Sequence, residues 1–128
     1  MNCYICGNEV VTQDALPVLL IPLISRSFPS LTVIHIDPTE NFFPENGSIL
    51  IDSVEGISTC TVYSSIDQFV STRTVSVHDY DLGFELQLLK KLHKLETIRI
   101  IGVPQSACVN DVWDDVYTSI SRILSREK

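Results

Sequence analysis

A chain of 128 residues with 45% hydrophobic content is the size of one globular domain, able to bury roughly 70% of the surface its unfolded form would expose. Sixteen acidic against nine basic side chains leave a formal net charge of -7, which repels phosphate backbones and anionic lipid, so neither nucleic acid nor a membrane is expected as a partner. The opening Met1-Asn2-Cys3-Tyr4-Ile5-Cys6 lacks the positive region of an export signal, and the longest apolar run, residues 15–24, is about half the length a bilayer needs; the expectation is a soluble, cytoplasmic protein.

In chain order, the first predicted strand covers residues 3–6 and ends in the turn Gly7-Asn8. It contains a C-x-x-C pair, but the two-residue period of a strand sends Cys3 and Cys6 to opposite faces, so they read as small buried thiols of a reducing compartment. Cys60 and Cys108 complete no zinc-finger or disulfide spacing. An apolar helix is predicted over residues 14–27, with Pro17 tolerated in its first turn and Pro22 forcing a kink or a lost hydrogen bond. Residues 31–36 form a β-branched strand stopped by Asp37-Pro38. Residues 48–51 form another, opened by Asn46-Gly47 and closed at Asp52, and residues 60–63 a short edge strand. A helix follows over residues 79–92, with Leu82, Leu86 and Leu89 on one stripe. The last strand covers residues 97–103. The final helix has Asn110 as its expected N-cap, Asp111, Asp114 and Asp115 near its positive end, and Val112, Val116, Ile120, Ile123 and Leu124 on one face.

Strand and helix in alternation predict a three-layer α/β/α sandwich around a mainly parallel sheet of four or five strands, with the first strand central and residues 1–128 forming one domain. In such sheets ligands sit beyond the carboxyl ends of the strands. Those ends offer Asp14 after Gly7-Asn8, then Asp37, Asp52, and His78 at the close of Val75-Ser76-Val77. Each has an ordinary alternative. Asp14 fits the first turn of a helix, Asp37 before Pro38 fits a turn, and His78 fits a surface position near a cap. Asp52 is harder to explain that way, because it directly follows Ile49-Leu50-Ile51. Carboxylates gathered at one edge repel unless a cation or proton neutralises them, and two carboxylates with one imidazole suit nickel, zinc, manganese or iron.

Four segments in order resemble the hydrogenase maturation endopeptidases. Gly7-Asn8-Glu9-Val10-Val11-Thr12-Gln13-Asp14-Ala15 is similar to their first strand-to-helix turn, and Ile49-Leu50-Ile51-Asp52-Ser53-Val54 to their aspartate-bearing strand. Ser76-Val77-His78-Asp79 through Leu82-Gly83 is similar to their histidine loop, and Ile100-Ile101-Gly102-Val103-Pro104-Gln105 to their final strand. The resemblance implies that Asp14, Asp52 and His78 contact a nickel ion already loaded into a hydrogenase large-subunit precursor. It further implies that the enzyme removes that precursor's C-terminal extension. The nickel is carried by the precursor, and zinc or another divalent ion could substitute.

The chain departs from the family pattern at Ile5, where a glycine is usual, at Gln13, where the first acid of a pair is usual, and at Pro17, where a glycine opens the helix. Gln13 removes one negative charge, which lowers affinity for a cation. No independent Ser-His-Asp or Cys-His nucleophile stands out. A non-catalytic α/β metal-binding or assembly factor on the same scaffold is therefore the alternative. A dinucleotide site is disfavoured, since Gly7 is the only glycine in the first strand-to-helix turn.

Overall fold

In the computed structural model, residues 1–7, 15–36, 44–63, 65–72, 98–105 and 107–126 are described. Among these residues five strands form one sheet: β1 (Asn2–Cys6), β2 (Thr32–Ile36), β3 (Ser48–Val54), β4 (Thr61–Tyr63) and β5 (Ile98–Pro104), in the order β2-β1-β3-β5-β4. Pairing is parallel from β2 through β5, and only the short edge strand β4 runs antiparallel. The predicted mainly parallel α/β sheet is therefore present. β1 is interior, but β3 holds the centre, because β4 adds a strand on the far side of β5.

Local chemistry accounts for the boundaries. The apolar segment after residue 14 forms two short helices, α1 (Leu16–Leu19) and α2 (Ile21–Ser27), instead of one. Each has a proline in its first turn, where the missing N–H has no intrahelical partner to lose. Pro22 could not continue a helix begun at Leu16, so the chain breaks at Leu20, whose N–H donates to the Pro17 carbonyl at 3.1 Å. Before β3, Gly47 takes φ +80°, the left-handed conformation that the turn from Glu45 to Ser48 requires.

Helices cover both faces. On one, α1, α2 and the long helix α4 (Val109–Arg126) bury Leu16, Leu20, Ile24, Val112, Val116, Ile120 and Ile123 against Cys3, Ile5, Ile49, Ile51, Ile101 and Val103. Each fully buried aliphatic side chain of this kind contributes about 1.5–3 kcal/mol. On the other, α3 (Ile66–Thr72) brings Ile66 and Phe69 onto Tyr4, Cys6, Leu50, Val54, Tyr63, Ile98 and Ile100. The predicted helix over residues 79–92 lies outside the described residues.

The start of α4 corrects one expectation. Asn110 is not the cap; the helix begins at Val109, and Cys108 occupies the position before it. The Asp111 carboxylate reaches back to accept the Cys108 N–H at 3.3 Å and the Cys108 thiol at 3.0 Å. An acid at the third helical position is placed to do this, which satisfies a donor that would otherwise be orphaned.

Candidate functional site at the carboxyl edge of the sheet

The order of the strands creates a switch point in the sheet. From β1 the chain climbs to α1 and α2 on one face, whereas β3 leads through β4 to α3 on the opposite face. Connections that part in this way make the carboxyl ends of β1 and β3 a topological switch point, the place where open parallel sheets bind ligands.

Asp52 stands at that point. The pairing of β1 with β3 ends at Ile5 and Ile51, while β3 stays paired to β5 as far as Val54 and Pro104. Asp52 is thus the first residue of β3 beyond its last rung with β1. It was expected to terminate the strand and instead lies inside it, opposite Gly102 on β5. The reason is the length of β5, which keeps the ladder going after the apolar run of β3 is interrupted. Side chains alternate along β3, so Asp52 shares the face of Leu50 and Val54, toward α3. It is only 4% exposed. A carboxylate held so deep in an apolar strand is costly to keep charged without compensating groups.

Asp14, Asp37 and His78 lie outside the described residues, as does Gln13. Among the described residues there is no group of three or more His, Cys, Asp or Glu side chains able to hold a metal ion. The donor chemistry at Asp52 is nonetheless compatible with one: a carboxylate suits hard and borderline divalent cations.

Three further features of this edge had no clear sequence signal. His35, on the outer strand β2, has Nε2 at 2.7 Å from the Gly7 carbonyl, to which it donates in the tautomer that carries that proton. Together with the Gly7 N–H to Ile36 carbonyl bond at 3.2 Å, this anchors the first residue after β1. Tyr63, on β4, is 1% exposed and packs edge-on against Phe69 with ring centroids 5.4 Å apart. Its ring crosses Gly102, where a Cβ would lie 2.9 Å from Tyr63 Cε2. Finally, a cleft of about 590 Å³ opens beside the start of α1 and the β5–α4 junction, lined in part by Ala15, Leu16, Leu19, Ala107, Cys108 and Val109. Leu19 is 56% exposed there.

The cysteines behave as the strand period predicted. Cys3 and Cys6 fall into the two separate clusters on opposite faces, and no disulfide joins any of the four cysteines. Burial pushes the Cys3 thiol up to about 12, which removes the thiolate needed for redox or metal chemistry at neutral pH. Cys60 is pushed up to about 11 by burial and, secondarily, by the Asp115 charge.

Among the described residues no helix is long and apolar enough to cross a membrane. No family model and no curated relative matches the chain. Solved structures do. The hydrogenase 3 maturation protease superposes with a TM-score of 0.64 at 16% identity, covering 91% of this chain and 86% of that one. The hydrogenase maturating endopeptidase HybD from E. coli superposes at 0.57 and 14% identity, covering 80% and 72%. An uncharacterized protein from Wolinella succinogenes gives 0.57 and 13%, covering 98% and 95%. At these identities the likeness is one of fold, and the chain has the fold seen in the hydrogenase maturation endopeptidases.

Proposed function

We propose that the chain, acting as one domain over residues 1–128, is an endopeptidase that removes the C-terminal extension of a nickel-loaded hydrogenase large-subunit precursor. Asp14, Asp52 and His78 are the residues assigned to contact the nickel carried by that precursor. The supporting observation is Asp52: a carboxylate buried in an apolar strand, just beyond the last rung between β1 and β3, in a fold shared with two hydrogenase maturation proteases. Carboxylate and imidazole groups can share a nickel ion with the precursor's own ligands without stripping it, so the ion reports that loading is complete. Once bound, it would supply Lewis-acid polarisation of the scissile carbonyl or of water. The cleft beside α1 is wide enough for a short peptide segment, and its described lining is uncharged.

The test is incubation of the intact chain with a nickel-loaded precursor, followed by mass spectrometry of the precursor. Wild type should shorten it. Asp14→Ala, Asp52→Ala and His78→Ala should each abolish shortening while leaving the fold intact. Equal processing by wild type and all three variants would end this assignment. Gln13, which replaces a family acid, favours a second reading, a non-catalytic assembly factor. Wild type would then bind the loaded precursor and leave its length unchanged.

A further inference from the structure

The face toward α3 contains a polar atom that fold packing does not explain. The Tyr63 hydroxyl is buried and has no hydrogen-bond partner among the described residues. A buried hydroxyl without an acceptor is a net loss to folding, and phenylalanine would fill the same space without it. Where the phenol lies is informative. Tyr63 pairs with Ile100, yet its ring extends along the ladder to Gly102, two residues nearer the carboxyl edge. Gly102 is the cross-strand partner of Asp52. A Cβ at Gly102 would meet both Tyr63 Cε2 and Val54 Cγ2 at 2.9 Å, so the ring occupies the space that the missing side chain leaves, between β4 and the Asp52–Val54 stretch of β3. Phe69, edge-on at 5.4 Å and 70°, holds it there.

We propose that Tyr63 is a positioning residue for Asp52: its O–H donates to one oxygen of the Asp52 carboxylate when the other engages a divalent cation. This rests on the assignment of Asp52 as a contact for the precursor's nickel. A carboxylate that turns one oxygen to a cation keeps acceptor capacity on the second, and a fixed donor there holds the productive orientation. A phenol is a neutral donor and adds no positive charge to compete with the ion. The hydroxyl, without a partner among the described residues, is therefore kept for an acceptor that moves into reach on binding.

The experiment compares wild type, Tyr63→Phe, Asp52→Asn and the double variant of the intact chain. Thermal midpoints are measured without metal. Affinities are measured by calorimetry for Ni(II), offered free and as its complex with a simple dithiolate. Tyr63→Phe should keep or raise the midpoint and weaken Ni(II) binding about 10- to 100-fold, the usual effect of losing a hydrogen bond to a ligating group. Asp52→Asn should abolish binding, with the double variant no worse. A lowered midpoint in Tyr63→Phe would show that the hydroxyl is already satisfied without ligand and would overturn the proposal. Unchanged Ni(II) affinity in Tyr63→Phe, with affinity lost in Asp52→Asn, would overturn it while leaving the Asp52 assignment standing. No binding by wild type in either form, or binding indifferent to Asp52→Asn, would remove the Asp52 assignment itself and this proposal with it.

Discussion

The two faces of the sheet use the same strands for different ends. Toward α1, α2 and α4, strands β1, β3 and β5 contribute Cys3, Ile5, Ile49, Ile51, Ile101 and Val103 to a cluster of aliphatic side chains and one inert thiol. Toward α3, the alternate residues of those strands form a smaller cluster that includes the rings of Tyr4, Tyr63 and Phe69, with Asp52 and the Tyr63 hydroxyl buried beside it. The first face gains from each side chain it buries. The second carries buried polar groups that a stability-driven core would replace. Neighbours in sequence can therefore serve opposite roles, as Ile51 and Asp52 do.

Truncation on the closed face should have the largest effect on folding. Ile51 is fully buried in the cluster under α1, α2 and α4. Ile51→Ala should lower unfolding free energy by about 2–5 kcal/mol, the usual cost of removing a large aliphatic side chain from a packed core. Urea denaturation would measure it. Asp52→Asn, one residue along and nearly isosteric, should cost far less. If the two variants unfold at the same urea concentration, the proposed division between the faces fails.

Gly102 tests the second face from within. Its absent side chain admits Tyr63 and Val54, and an added methyl would have to displace an aromatic ring and a β-branched side chain at once. Gly102→Ala should destabilise by about 1–3 kcal/mol through overpacking. The same change should shift near-ultraviolet circular dichroism through Tyr63. An alanine accepted without either effect would mean that the ring does not depend on this glycine for its place.

Much of this architecture is legible in the residues. Alternating β-branched runs and apolar helical stripes predicted a mainly parallel α/β sheet, and Pro22 predicted the interruption that separates α1 from α2. Two-residue periodicity was enough to place Cys3 and Cys6 on opposite faces. What was missed at Asp52 and Tyr63 depended on neighbours distant in sequence. Asp52 looks like a strand end because a charge follows three aliphatic residues, and only the reach of β5 makes it an interior residue. Tyr63 looks like an ordinary strand aromatic, since nothing local shows that its hydroxyl lies buried across a glycine of another strand. Asn110 looked like the cap because it precedes the acids of the helix, but the reach of Asp111 to Cys108 decides that boundary. Asp14 and His78, the other two predicted site residues, lie outside the described residues.

The smallest expected effect sits at the rim of the closed face and depends on pH. Asp111 accepts hydrogen bonds from the Cys108 thiol and, secondarily, the Cys108 N–H, and these hold its carboxyl below the usual range. Its folded pKa is lower than its unfolded one, so the bonds stabilise the protein fully above the ordinary carboxylate pKa of about 4. That contribution is lost as pH falls through the folded value, when the carboxyl takes up its proton. Asp111→Ala should therefore lower the thermal midpoint modestly at neutral pH, and the gap from wild type should close as the solution is acidified below about pH 4. Asp111→Asn should recover part of the loss, because its side-chain oxygen still accepts from the Cys108 N–H but carries no charge for the helix N-terminus. Differential scanning calorimetry across an acid series resolves both differences. A gap that stays constant down to strongly acidic pH would trace the loss to helix propensity and not to the ionised cap.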